Sequence, residues 1–145
     1  MKAHVASKPA MTVHRRILTK DRIVYLLVGK KSFKYKGGRS RIAYIGTSKR
    51  GARRIASSAA HRADEVFSRW GSRQMDVFIA SCEARPGLKS WRYLERALLA
   101  NFLAQYHELP FYNKQGKRYK FDEKLQRMFK LKALYGILME FHGSK

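Results

Sequence analysis

Acidic residues are scarce in this chain of 145 residues: there are ten Asp and Glu against 32 Lys and Arg, and none falls between Asp21 and Asp64. That scarcity excludes a charge-balanced surface. The formal net charge of +22 is well beyond what solubility requires, and such an excess repels itself unless a polyanion is at hand. Cysteine is almost missing as well. Cys82 stands alone, so no intramolecular disulfide can form, and its setting in VFIASC reads as a buried thiol rather than a reactive one, which permits a reducing compartment. No apolar run approaches about 18 residues, which removes a spanning helix. No membrane partner is expected, and the cytoplasm or the nucleoid is the expected location. The phosphate-cradling glycine signatures are also lacking, because Gly37-Gly38 has neither their spacing nor the terminal Lys-Ser/Thr. With no internal repeat and no low-complexity tract, one domain burying roughly two-thirds of its unfolded surface is the default at this length.

What the chain has in abundance is positive charge, unevenly placed. Twelve basic residues and no acid lie between Asp21 and Asp64, among them Lys30, Lys31, Lys34, Lys36, Arg39, Arg41, Lys49, Arg50, Arg53 and Arg54. A second cluster comprises Lys114, Lys117, Arg118 and Lys120. If roughly six to ten of these met phosphates, binding would weaken by about three to five orders of magnitude between low and physiological salt. A solvated basic surface, or contact with an anionic membrane, is the plainer reading of the same charges. The first twenty residues carry five basic residues and no acid but lack a secretory apolar region, so 1–20 reads as a flexible basic arm.

Patterning orders the elements as β-β-α-β-α-loop-α. RIVYLLVG (22–29) is a strand candidate, KKSFKYKGGRSR (30–41) a basic hairpin or loop turning at Gly37-Gly38, and IAYIG (42–46) the returning strand. Thr47 or Ser48 can cap a helix over about 49–67, in which Gly51 costs about 1 kcal/mol relative to alanine. MDVFIASC (75–82) is a third strand, apolar on both faces as a central or helix-covered strand would be. Ser90 is a candidate N-cap for a helix from Trp91 to about Tyr106, and Pro110 stops its continuation. Leu125, Met128, Phe129, Leu131, Leu134, Tyr135, Leu138 and Met139 mark one last amphipathic helix over about 122–141, whose stripe reads as core packing. These elements predict a small α/β domain with a mainly antiparallel three-stranded sheet flanked by helices, divided as arm (1–20), core (21–115), and a basic linker with a C-terminal helix packed on the core (116–145).

Several residues could carry chemistry. Glu95 lies within the apolar face formed by Trp91, Leu94, Leu98, Leu99 and Phe102, where a carboxylate needs a basic partner, a wet helix edge or a metal. Arg54, Ser58 and His61 follow at intervals of four and three, on one helix face, where a guanidinium could clamp a phosphate and oppose charge growing in a transition state. Tyr25 and Tyr44 sit near the middle of adjacent strand candidates, so two phenols can converge. With an ordinary pKa of about 10, a phenol is a weak base at neutral pH and needs basic neighbours or metal-bound water to help it. Each of these signals alone has an ordinary structural explanation: core aromatics, a solvent-facing arginine and histidine, an edge carboxylate.

Taken in order, the residues resemble the GIY-YIG nuclease superfamily: IVY at 23–25, YIG at 44–46, Arg54 eight residues beyond Gly46, Glu95 in YLERALL, and Asn113 in FYN. The resemblance spans roughly 22–115 and implies a catalytic core. In it Tyr44 acts as or assists the general base, Tyr25 contacts the water or scissile phosphate, and Arg54 stabilises phosphoryl charge. It further implies that Glu95 binds a single Mg²⁺ or Mn²⁺ completed by waters and phosphate oxygens, and that Asn113 positions the backbone or binds phosphate. The chain departs from the pattern at Ile23, where the family has glycine, in the longer spacing between the tyrosines, and at Ser58, where many members have histidine or tyrosine. His61, one turn further on, is the candidate substitute.

The expected function is metal-dependent hydrolysis of phosphodiesters in DNA, with DNA favoured over RNA as partner and the two basic clusters gripping the backbone. A homodimer, or a protein partner that confers specificity, stays open. The alternative is a non-catalytic DNA- or RNA-binding module, in which Phe33, Tyr35 and Tyr119 stack on bases and the tyrosines and Glu95 are structural.

Overall fold

The computed structural model describes residues 22–70, 74–83, 86–115 and 119–143, apart from the side chains of 52, 53, 69 and 70. The arm expected over 1–20 lies outside them. Three strands, β1 (Ile23–Tyr35), β2 (Gly38–Ser48) and β3 (Met75–Ala80), form one antiparallel sheet in the order β2-β1-β3. Among the described residues four helices flank it: α1 (Ala52–Trp70), α2 (Ser90–Tyr106), α3 (Glu123–Met128) and α4 (Leu131–Met139). The chain is thus a small α/β domain with a three-stranded antiparallel sheet flanked by helices.

β1 is the central strand, and its first seven residues are buried on both faces. Val24, Leu26 and Val28 join the main core with Leu94, Leu98 and Phe102 of α2 and Leu134 and Leu138 of α4. The alternate residues Ile23, Tyr25 and Leu27 meet Ile55 of α1 on the other face. Of the two readings of the basic segment 30–41, hairpin or loop, it is the hairpin, with strand on both sides of its turn. Phe33 and Tyr35 alternate with exposed Lys34, are 2% and 3% exposed, and pack into the main core. The turn is Lys36-Gly37 rather than Gly37-Gly38, since Tyr35 pairs with Gly38. It is docked on the end of α2: Gly37 N donates to Tyr106 O at 2.9 Å and Lys36 N to Glu108 Oε1 at 2.7 Å. A Cβ on Gly37 would lie 2.5 Å from Gln105 O, so only glycine allows that approach.

Other expectations change in detail. Gly51 precedes α1 with φ +61, a conformation glycine adopts freely, so it starts the helix rather than weakening it. Ser48 Oγ donates to Gly51 O at 2.8 Å. Ser90 is the first helical residue and not the cap; Lys89 occupies the cap position without a side-chain bond. α2 ends at left-handed His107, whose N–H returns to Leu103 O. The single helix expected over 122–141 is two, because Phe129 and Lys130 are extended. The break lets partly buried Phe129 reach the main core while Leu134 and Leu138 pack from a second axis; Leu131 and Tyr135 are exposed. α3 is capped by Asp122, which accepts from Leu125 N at 3.0 Å and also pairs with Arg96 of α2 at 2.8 Å.

The two sheet edges differ. Along β2 the chain covers its own edge: Arg41 N donates to Phe141 O, Gly143 N to Arg39 O, and Tyr112 N to Ala43 O, at 2.8, 3.0 and 3.0 Å. β3 is an edge strand, not the central or helix-covered strand expected, and Val77, Phe78 and Ile79 are 38%, 43% and 38% exposed. No helix among the described residues is long and apolar enough to cross a membrane.

Candidate functional site

Tyr25 and Tyr44 meet. Leu27 of β1 pairs with Tyr44 and Tyr25 with Gly46, so the two tyrosines are diagonal neighbours on one face, ring centroids 5.7 Å apart at 50°. The ring of Tyr44 lies across Gly46, where an added Cβ would come 2.7 Å from Tyr44 Oη and closer still to a ring carbon. The glycine of YIG is therefore a space requirement of the phenol. Tyr25 is 2% exposed, and its hydroxyl donates to Ser58 Oγ at 2.9 Å, which joins the strand pair to α1. Ser58, the departure noted in the sequence, thus holds Tyr25.

Asn113 acts on the backbone. Its Oδ1 accepts from Ile45 N at 3.0 Å and its Nδ2 donates to Ile45 O at 2.7 Å, so one amide satisfies both outward groups of Ile45 as a further strand would. Glu95 is half-buried on α2, and its negative charge is felt at the phenols of both Tyr44 and Tyr119. Burial, then the neighbouring Tyr25, pushes the Tyr44 phenol above its ordinary value; Arg62 opposes and Glu95 adds a smaller push. Arg54 and His61 are exposed on α1 and are not brought against either phenol by any contact in the described structure. His61 therefore gains no support as the substitute proton-transfer group.

The residue missed in the sequence is Arg62. Its guanidinium carbon lies 4.0 Å from the centre of the Tyr44 ring, and Nη1 donates to Tyr112 O at 2.9 Å. Ile55, Ala59, Arg62 and Val66 share the inward stripe of α1, so the signal was a charge on an apolar stripe, the same one that singles out Glu95.

The basic residues separate into two groups. Lys30, Lys31, Lys34, Lys36, Lys49, Arg50, Lys114 and Lys120 are exposed. Arg39 is held by Ser32 Oγ at 2.9 Å and Ser32 O at 3.2 Å, and Arg41 folds over the Phe141 ring at 5.8 Å. Lys117, Arg118 and the side chain of Arg53 lie outside the described residues. Phe33 and Tyr35 cannot stack on bases because both are buried; the Tyr35 hydroxyl donates to Ile42 O at 2.6 Å. Cys82 is half-buried, and burial pushes its thiol up, which disfavours a thiolate nucleophile.

Burial also raises the phenols of Tyr35, Tyr106 and Tyr119. A raised phenol holds its proton more tightly when folded, so this stability is fully present below the unfolded value of about 10 and is lost as pH climbs through the folded values. The urea midpoint is expected to fall between pH 9 and pH 11, and to fall less in Tyr35→Phe. An equal fall in both proteins would contradict the role given to Tyr35.

Among the described residues no three His, Cys, Asp or Glu side chains gather as a metal cluster. A site completed by waters and phosphate oxygens needs only one carboxylate, and half-buried Glu95 suits that smaller requirement. Set against protein-family models, curated proteins and solved structures, the chain matches none.

Proposed function

We propose that the chain is a metal-dependent DNA endonuclease of the GIY-YIG kind, hydrolysing phosphodiester bonds at the Tyr25–Tyr44 pair. The observation that carries this reading is the meeting of two phenols from adjacent strands, ring centroids 5.7 Å apart, backed by an amide clamp at Asn113, with half-buried Glu95 on α2 as the carboxylate the reading requires. Such a gathering of polar groups from separate elements is costly for packing alone.

In this reading Tyr44, in its phenolate form, orients the attacking water and accepts its proton as the new phosphorus–oxygen bond forms and the bond to the leaving oxygen breaks, the leaving oxygen taking a proton from solvent, while Tyr25, whose own proton is engaged by Ser58, offers its oxygen as an acceptor. Glu95 would hold the Mg²⁺ or Mn²⁺. That cation, when bound, would neutralise charge on the phosphate oxygens. Exposed Arg54, one turn before Ser58, is free to reach the phosphate from the rim. Exposed lysines of the β1–β2 ribbon would grip flanking phosphates without reading bases.

Supercoiled, linear and branched DNA, and RNA, incubated with Mg²⁺ or Mn²⁺, test the reading. Cleavage of at least one DNA form is expected, abolished by EDTA and restored by adding metal. Binding to every substrate without cleavage of any would overturn it in favour of a non-catalytic DNA- or RNA-binding module.

A further inference from the structure

We propose that Arg62 is a positioning residue for Tyr44, an inference that rests on the phosphodiester-cleaving reading of this site: its guanidinium covers the phenol ring and fixes where the Tyr44 hydroxyl stands. The ring is packed closely against Gly46, where no Cβ would fit, and the guanidinium carbon stands 4.0 Å from its centre. Neither the ordinary use of an arginine nor simple solubility explains the arrangement. Among the described residues no carboxylate pairs with Arg62, although the side chain is half-buried. Its Nε is buried without a hydrogen-bonding acceptor, a costly state for an ordinary donor. The guanidinium lies instead against the electron-rich ring, which an arginine does well and a lysine does less well.

The anchoring is equally specific. Nη1 donates to the carbonyl of Tyr112, and the next residue, Asn113, clamps Ile45 beside Tyr44. One turn of chain therefore fixes both the backbone that carries the phenol and the cation that covers it. Because no carboxylate among the described residues pairs with Arg62, its charge remains available to stabilise the phenolate form of Tyr44 that takes the water's proton, a fixed charge that needs no reorganisation during the reaction.

The test compares wild type, Arg62→Lys and Arg62→Met in DNA cleavage with Mg²⁺, and adds the side-chain Hε resonance of Arg62 in ¹⁵N-arginine-labelled protein, assigned by its loss in Arg62→Lys. The ring current of Tyr44 is expected to move this resonance upfield of the exposed arginines, and Tyr44→Leu to return it. In Arg62→Met kcat is expected to drop by about 100-fold with KM within about threefold, and Arg62→Lys to recover about tenfold of the loss. Unchanged kcat in Arg62→Met, a change confined to KM, or a resonance indifferent to Tyr44→Leu would overturn the proposal. If the wild-type protein cleaves nothing, the endonuclease reading fails by itself. The resonance then decides alone whether Arg62 holds Tyr44: shifted, the contact stands; unshifted, the contact falls too.

Discussion

Glu95→Ala is expected to reduce metal-dependent DNA cleavage by about three orders of magnitude, because a metal-assisted phosphoryl transfer draws several kcal/mol from charge neutralisation and each 1.4 kcal/mol is about tenfold in rate. DNA binding should survive. The substitution removes a negative charge from a protein of net charge +22, so attraction to a polyanion is kept or strengthened, and lost cleavage cannot be ascribed to lost affinity. Removing Glu95 also withdraws its influence on Tyr44 and Tyr119, which can then lose their protons more easily. The measurement pairs a cleavage time course over a range of Mg²⁺ with a filter-binding titration, and circular dichroism verifies the fold. Equal cleavage by the variant and the wild type would remove Glu95 from the reaction.

Gly46→Ala should damage stability and cleavage together through a single methyl group. Nothing in the backbone forbids alanine there, as Gly46 has no left-handed φ. The obstacle is the Tyr44 ring, which occupies the space of the missing Cβ. The ring must move, and with it go the contact with Tyr25 at 5.7 Å and the cover of Arg62 at 4.0 Å. Overpacking of this sort costs about 1–3 kcal/mol of stability. Misplacement of a reacting group by about 1 Å costs about 100-fold in rate. The double variant Gly46→Ala with Tyr44→Ala separates the two effects, since it should regain stability but not cleavage. A stable, fully active Gly46→Ala protein would show that the phenol need not lie where it does.

The legible and illegible parts of this chain divide on physical grounds. Tyr25 and Tyr44 could be placed together because strand alternation and hairpin order are local. Glu95 stood out because a carboxylate on an apolar helix face demands an explanation, and Arg62 passed unnoticed only because it lies in a segment already crowded with cations. The ribbon over 30–41 could be read as hairpin or loop because its lysines dominate the composition, yet Phe33 and Tyr35 at alternate positions are what dock it on α2. The break at Phe129 and Lys130 has no proline or glycine to announce it and arises from tertiary packing. β3 reads identically as a covered strand or an exposed edge, since its residues do not record which neighbours the sheet supplies.

The covering of the β2 edge also sets the order in which the protein can be assembled. Ser40 bridges to His142, and Ser40 Oγ lies 3.4 Å from Phe141 O, a contact that spans 101 positions of the chain. Pairings so distant in sequence are slow, because the intervening chain must be restrained before they form. The β1–β2 ribbon can close early from its local turn, but its outer rim around Arg39 and Arg41 waits for residues 141–143 to be synthesised. During translation that rim is an open row of peptide groups flanked by cations, and it stays open until residues 141–143 arrive to cover it.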